Sequence, residues 1–167
     1  MIQETVRTDI RQASSEKDYE DARRLVRAYF ETLRKADPEA ERMLDAYFEN
    51  HAIEAELASL PITFGYPNGA CLIACADGKA VGTVMLSRKS DVRCEMNRMY
   101  VHPSARGLGL GRQLCARIIA AGREMGFHEM TLETMPFLRS AIEIYKNHGF
   151  ARYSGEDPRF INLKLKL

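Results

Sequence analysis

The stretch that best indicates the fold runs over residues 99–112 and reads Met99-Tyr100-Val101-His102-Pro103-Ser104-Ala105-Arg106-Gly107-Leu108-Gly109-Leu110-Gly111-Arg112. It joins an apolar, strand-like segment to an amphipathic helix pattern, with a glycine at every second position between residues 107 and 111. Glycine accepts a positive φ and lets a ligand approach the backbone closely. Successive amides can then point into one concavity at the positive end of the helix, which suits phosphate oxygens. The stretch therefore predicts a site for a phosphate-bearing ligand.

Two common phosphate-binding motifs do not match this stretch. The dinucleotide fingerprint Gly-x-Gly-x-x-Gly needs a third glycine where this chain, counted from Gly107, has Arg112. A P-loop needs lysine and then serine or threonine after its last glycine, but Gly111 is followed by Arg112 and Gln113. A glycine-rich turn without any ligand is the remaining alternative. We favour a ligand because glycines so close to a helix lower its stability unless they serve a purpose.

The segments before this stretch predict an antiparallel meander. The apolar runs Ala70–Ala76 and Ala80–Leu86 are separated by Asp77-Gly78-Lys79. Asp-Gly between such runs is a strong hairpin signal, because both residues tolerate positive φ. A third strand, Val92–Val101, ends before Pro103, since proline cannot donate to a strand ladder.

The rest of the chain alternates between helical and strand-like patterns. The predicted elements are a first strand at Val6–Ile10, a helix capped by Ser15, a second helix from Asp37-Pro38 to about Leu60-Pro61, a helix at Gly109–Met125, a strand at Met130–Glu133, a helix at Ser140–His148 stopped by Gly149, and a strand at Ile161–Leu167. This order predicts an α/β or α+β fold built on one sheet. Without repeats or linker-like stretches, a single domain over residues 1–167 is expected.

The composition indicates an ordinary globular protein, with 46% hydrophobic residues, 28% charged residues and a net charge of +1. Proteins that neutralise nucleic acid usually carry a basic surplus, so we expect no nucleic-acid partner. No apolar run approaches the roughly 18 residues of a membrane span, and the start lacks a secretion-signal pattern, so we expect no membrane partner and a cytoplasmic location. Cys71, Cys75, Cys94 and Cys115 show no metal-binding spacing, and we expect buried free thiols and no metal.

Two motifs resemble those of the Gcn5-related N-acetyltransferase (GNAT) superfamily. Arg106-x-x-Gly109-x-Gly111, after a strand ending in Tyr-Val-x-Pro, resembles its pyrophosphate-binding motif. The segment Ala141–Phe150, a helix bearing Tyr145 before Gly-Phe, resembles its second motif. Two independent motifs at the expected separation are more specific than either alone, and the flanking segments look like a bacterial branch of the superfamily.

The resemblance implies a mixed, mostly antiparallel sheet with helices on both faces. The sheet would be splayed between two central parallel strands, Val92–Val101 and Met130–Thr134, with the pantetheine arm of acetyl-coenzyme A in the gap. Many members carry asparagine where this chain has Leu138, which puts one side-chain contact to the cofactor in doubt. The implied cofactor-binding residues are Met99, Tyr100 and Val101 for the pantetheine and Arg106, Gly107, Leu108, Gly109, Leu110, Gly111 and Arg112 for the pyrophosphate.

Acetyl transfer to an amine asks for a base and an acid. For an amine of pKa about 10.4, losing the proton at pH 7 costs roughly 4–5 kcal/mol, so a base helps. Glu95 is the candidate, because it shares the parity of Met99 and Val101 unless a bulge intervenes; the alternative is an ion-paired strand carboxylate. Tyr145 is the candidate acid for the departing thiolate, as the family implies; the alternative is a tyrosine buried on an apolar helix face.

These observations predict an enzyme that transfers acetyl from acetyl-coenzyme A, as cosubstrate, to the amine of a small molecule. Two alternatives stay open, a non-catalytic coenzyme A-binding regulatory module and an acetyltransferase of proteins or peptides. The sequence leaves the acceptor and the oligomeric state open, a homodimer included.

Overall fold

The computed structural model describes residues 4–167, and these contain one seven-stranded sheet flanked by helices. The strands are β1 (Thr8–Gln12), β2 (Gly69–Ala76), β3 (Lys79–Arg88), β4 (Arg93–Val101), β5 (Glu129–Thr134), β6 (Ala151–Tyr153) and β7 (Ile161–Lys166). The helices are α1 (Glu16–Ala36), α2 (Ala40–Asn50), α3 (Ile53–Ala58), α4 (Leu60–Thr63), α5 (Leu110–Glu124) and α6 (Arg139–Asn147).

The sheet order is β1-β2-β3-β4-β5-β7-β6, and every neighbouring pair is antiparallel except β4 and β5. The parallel pair is short, because only residues 93–95 of β4 pair with residues 129–131 of β5. Both strands continue beyond the last pair, Glu95 with Thr131, and leave a gap between them. This confirms the predicted mixed sheet splayed between two central parallel strands.

Helices cover both faces of the sheet. On one face, α1 packs against β2, β3 and β4 around buried residues that include Leu25, Val26 and Met85. On the other face, α5 packs against the same three strands around residues that include Leu114 and Ile118. Both helices present an apolar stripe to the sheet, as their helical spacing of apolar residues predicts.

Local signals in the sequence are reproduced at several turns and caps. Asp77 and Gly78 have φ of 49° and 78° in the β2–β3 hairpin, as the Asp-Gly pattern predicts. Ser15 caps α1 and forms a capping box with Asp18, so two helix-end amides are satisfied at once. Gly149, with φ of 97°, follows the end of α6, also as predicted.

Three expectations about elements need correction. The first strand is shifted to Thr8–Gln12, where it pairs with β2. The long second helix is instead broken at His51 and again at Ser59 into α2, α3 and α4, because the chain leaves the helical conformation there. The strand β6 was not expected, since a strand of three residues carries too little periodicity to be recognised.

All four cysteines are buried and free, as predicted. Burial raises the pKa of the Cys71, Cys94 and Cys115 thiols to about 12. These thiols are therefore protonated at neutral pH and act as small apolar side chains in the core.

None of the helices formed by residues 4–167 has both the length and the apolar character of a membrane span.

Candidate active site

The glycine-rich connection leads directly into α5. Gly107 and Gly109 have φ of 84° and 74°, and Gly109 is the residue that precedes the first turn of the helix. A Cβ at Gly107 would meet no atom within 4 Å, so backbone conformation rather than crowding requires glycine there. The first amides of a helix have no partner within it, and they carry the positive end of its dipole. This end of α5 is therefore suited to an anion.

A cleft of about 1020 Å³ opens at this end of α5 and extends to Met99, Tyr100 and Val101, in the part of β4 that no longer pairs with β5. Nine of the ten residues predicted to bind the cofactor line it: Met99, Tyr100, Val101, Arg106, Gly107, Gly109, Leu110, Gly111 and Arg112. The exception is Leu108, which does not line the cleft and is 36% exposed. Lys35, Leu138 and Arg139 also line the cleft, and the two basic residues were not anticipated because they are remote from the motif in sequence.

Close packing of α6 against α5 brings the second motif to this cleft. A Cβ on Gly111 would lie 3.2 Å from Ile144 Cδ1, so the third glycine of the motif lets the two helices approach. Tyr145 follows on α6; it is 6% exposed and its ring packs edge-on to Phe150 with a centroid separation of 5.9 Å. Burial raises the pKa of Tyr145 well above its usual value, so this phenol is neutral at physiological pH.

A bulge in β4 changes which residues face each side of the sheet. Met85 pairs with Asn97 and Thr83 pairs with Tyr100, so two residues of β4, Arg98 and Met99, oppose a single residue of β3. Arg98 has φ of 55°, which is rare for a residue other than glycine.

The bulge corrects the expectation that Glu95 faces the same side as Met99 and Val101. Met99 and Val101 pack towards the core on the α5 side, whereas Glu95 lines a second cavity on the α1 side, next to Asn97. The left-handed residue of the bulge is an arginine rather than a glycine, which is why the parity of Glu95 could not be read correctly from the sequence.

The second cavity has a volume of about 320 Å³ and a mostly polar lining. Glu95 Oε1 accepts a hydrogen bond of 2.7 Å from Asn97 Nδ2 and lies 3.7 Å from Lys89 Nζ. Glu133 on β5 also lines this cavity, and its pKa is raised by burial and further by the Glu95 and Asp157 carboxylates, while His51 lowers it. Sequence reasoning did not single out Glu133, although it stands on the second splayed strand beyond the paired residues.

The two cavities meet at four residues that line both of them: Tyr29, Leu33, Met99 and Tyr145. The cleft that begins at α5 therefore reaches the polar cavity beside the Tyr145 ring. The candidate acid Tyr145 thus lies at the junction and the candidate base Glu95 lines the adjoining cavity, although they belong to elements far apart in the chain.

Comparison with known proteins agrees with this geometry. The model of the Acetyltransferase (GNAT) family matches residues 21–150, which include both motifs. The chain belongs to the GNAT acetyltransferase family. It is accordingly an acyltransferase that depends on acetyl-coenzyme A, as the two motifs predicted.

Two relatives and one solved structure are similar to this GNAT acetyltransferase over more than half of its chain. An uncharacterized N-acetyltransferase of Schizosaccharomyces pombe is 31% identical over 90% of this chain and 89% of its own length. An uncharacterized N-acetyltransferase of Escherichia coli is 34% identical over 58% of this chain and 60% of its own length. The crystal structure of the PaiA N-acetyltransferase of Thermoplasma acidophilum in complex with coenzyme A has a TM-score of 0.73 at 18% identity, over 96% of this chain and 99% of that one. This structural likeness concerns the fold.

Proposed function

We propose that this protein, as a single catalytic domain, transfers the acetyl group of acetyl-coenzyme A to the amine of a small molecule by direct attack, with Tyr145 as general acid. The observation that carries the proposal is the junction at Tyr145, where the cleft at the start of α5 meets the second cavity. A donor arm in the cleft and an amine in the second cavity would reach each other there.

The residues of the cleft fit a coenzyme A molecule. The unpartnered amides in the first turn of α5 suit the pyrophosphate, and Lys35, Arg106, Arg112 and Arg139 add positive charge along the same cleft. The part of β4 that lines the cleft has no pairing partner on β5, and its free strand edge can hydrogen-bond the amides of a pantetheine arm. When bound, acetyl-coenzyme A supplies an activated acetyl group and a thiolate leaving group.

Tyr145 protonates the departing thiolate in this proposal. As the amine nitrogen forms its bond to the carbonyl carbon, the carbon–sulfur bond breaks and the sulfur needs a proton. The raised pKa of Tyr145 keeps its phenol protonated; because it also makes the phenol a weaker acid, the transfer depends on the position of the hydroxyl next to the sulfur. The bulge at Arg98 changes the direction of the Met99 backbone. We propose that the Met99 amide donates a hydrogen bond to the carbonyl oxygen of the thioester and stabilises the negative charge that develops on it.

We propose that Glu95 accepts the proton of the amine, directly or through water, and that Glu133 is a second carboxylate in this proton relay. Both side chains line the second cavity, on strands that flank the gap. Burial, and further the Glu95 and Asp157 carboxylates, raise the pKa of Glu133 although His51 lowers it, and the raised pKa makes Glu133 a stronger base than a solvated glutamate.

The second cavity supports a small acceptor. Its volume of about 320 Å³ lies at the lower end of small-molecule sites, which span roughly 300–1,000 Å³. Tyrosine and phenylalanine side chains and several carboxylates form its walls, a combination that suits a compact polar amine.

The direct test is to incubate the protein with acetyl-coenzyme A and a panel of small amines, peptides and proteins, and to identify acetylated products by mass spectrometry. We expect acetylated small amines, and a Tyr145→Phe variant whose kcat falls about 10²- to 10⁴-fold with little change in coenzyme A affinity. Tyr19→Phe is the matched control, because Tyr19 is also a buried tyrosine, at 8% exposure, but it packs in the core on the α1 side and lines neither cavity.

Each alternative predicts a different outcome of this test. Tight coenzyme A binding without product from any amine would identify a regulatory binding module. Products from peptides or proteins alone would move the acceptor class to macromolecules. An unchanged kcat in Tyr145→Phe would reject Tyr145 as the acid while leaving the reaction intact.

A further inference from the structure

Arg98 combines two unusual features at the bulge of β4. Its backbone is in the left-handed region, with φ of 55°, where L-residues other than glycine are strained. Its side chain, although charged, is only 7% exposed. A charged residue held in a strained conformation persists only when its surroundings determine it, so the contacts of this side chain are of interest.

The guanidinium of Arg98 joins three helices of the α1 side. It donates from Nε to Glu56 Oε2 at 3.0 Å and from Nη2 to Glu56 Oε1 at 3.1 Å, a bidentate pair with α3. Its Nη1 donates to the hydroxyl of Tyr47 on α2. The guanidinium carbon also lies 5.4 Å from the ring centroids of both Phe30 on α1 and Tyr47.

These contacts connect the wall of the second cavity to the site of the reaction. Phe30 and Tyr47 line the second cavity, and Met99, the residue next to Arg98, lines both cavities. The helices α2 and α3 make few other contacts with the sheet, since α2 packs mainly on α1 and α3 on α4. Leu44 and Leu57 anchor these short helices in the apolar core, and Arg98 adds a polar link from them to the strand that carries Met99.

We infer that Arg98 is a positioning residue, which couples the helical wall around the acceptor to the bulge that presents the Met99 amide. The inference rests on the proposed function, in which the second cavity receives the amine. The planar guanidinium can satisfy Glu56 and Tyr47 at once because its donors diverge in a fixed fork, whereas a lysine ammonium cannot hold the same bidentate geometry. The pair holds the left-handed backbone of residue 98, and that backbone sets the direction of the next amide.

The test compares variants of the network with a matched control on the same helix. Glu56→Gln removes the charge of the buried pair, and Tyr47→Phe removes the hydroxyl while keeping the ring. Glu54→Gln is the control, because Glu54 lies on α3 like Glu56 and pairs with Arg27 on α1, but both of these partners are exposed, at 80% and 56%. Arg98→Lys keeps the positive charge and loses the bidentate hydrogen-bond geometry of the guanidinium.

Two readouts separate positioning from mere stability. We expect Glu56→Gln and Arg98→Lys to lower kcat/KM for the amine on the order of 10- to 100-fold, as small misplacements of reacting groups do, with coenzyme A affinity unchanged. We also expect faster amide hydrogen exchange both in residues 40–58 and in residues 97–101, because loosening one end of the network releases the other. Glu54→Gln should change neither readout.

The outcomes are distinguishable from failure of the proposed function. If the wild-type protein acetylates no amine, the proposed function fails, and the exchange pattern still decides whether the coupling exists. The inference is overturned if the folded variants keep the wild-type kcat/KM for the amine, or if exchange rises in residues 40–58 without any change in residues 97–101. If Glu56→Gln does not fold, the same two measurements on the conservative Tyr47→Phe variant decide whether the coupling exists.

Discussion

Replacing Gly109 by alanine tests the backbone site that we propose for the pyrophosphate of coenzyme A. Gly109 has φ of 74°, and an added Cβ would have only Gln113 Nε2 near it, at 3.7 Å, so the variant meets strain but no clash. An L-residue in the left-handed conformation costs roughly 1–2 kcal/mol, which for a chain of this length lowers Tm by about 2–8 °C. The chain can relieve this strain by turning the backbone at residue 109, and the amides at the start of α5 then move.

In the proposed site, an amide that moves loses its hydrogen bond to a phosphate oxygen. Hydrogen bonds to charged groups contribute about 1.5–3 kcal/mol, so the loss of one bond raises the Kd for coenzyme A about 10- to 150-fold. Isothermal titration calorimetry with coenzyme A measures the Kd, and thermal unfolding of the same samples measures the strain.

Gly78→Ala is the matched control for this experiment. Gly78 has nearly the same φ, 78°, in the β2–β3 hairpin, where an added Cβ meets nothing within 4 Å and which lines neither cavity. We expect a similar loss of Tm and no change in Kd. The reasoning is refuted if Gly109→Ala binds coenzyme A as tightly as the wild type, or if Gly78→Ala weakens binding equally.

Two further predictions concern carboxylates. The pKa of Asp18 is lowered to about 2, chiefly by the Ser14 amide, so its ionised form contributes at most about 2 kcal/mol to stability; this contribution is complete above the ordinary pKa and disappears as the pH falls towards 2. In urea unfolding, Asp18→Asn should therefore be less stable than the wild type at pH 7 and equally stable at low pH. A stability difference that stayed constant with pH would contradict this. The pKa of Glu133 is raised, so the kcat/KM of the wild type should fall as the pH drops through that raised pKa, and in Glu133→Gln this fall should occur at lower pH. Identical pH profiles for the wild type, Glu133→Gln and Glu95→Gln would reject the proton relay through these two carboxylates.

The sequence could predict the features that local chemistry determines. The Asp77-Gly78 hairpin, the positive φ of Gly107 and Gly109 and the cap at Ser15 each depend on residues next to one another. The two GNAT motifs added the splayed sheet, which no local pattern could supply. In particular, β7 lies between β5 and β6 although both precede it in the chain, and only tertiary packing decides such an order.

The parts of the site that were missed depend on long-range contacts. The bulge at Arg98 is stabilised by partners on α1, α2 and α3, and an arginine in the sequence gives no sign of a left-handed backbone. The role considered for Glu133 follows from its neighbours across the gap rather than from the residues beside it. The three-residue strand β6 exists only because β7 offers it an edge.

The buried cysteine thiols of the core allow the released coenzyme A to be detected with a thiol-reactive dye. The pKa values of Cys71, Cys94 and Cys115 of about 12 leave almost no thiolate at neutral pH, and all four cysteines are shielded from solvent. A thiol-reactive dye added to a running reaction would therefore be consumed by released coenzyme A and hardly by the folded protein. A dye signal that appeared without any amine present would report unfolding of the chain or hydrolysis of the donor, and the two differ in whether the signal stops at four equivalents per chain.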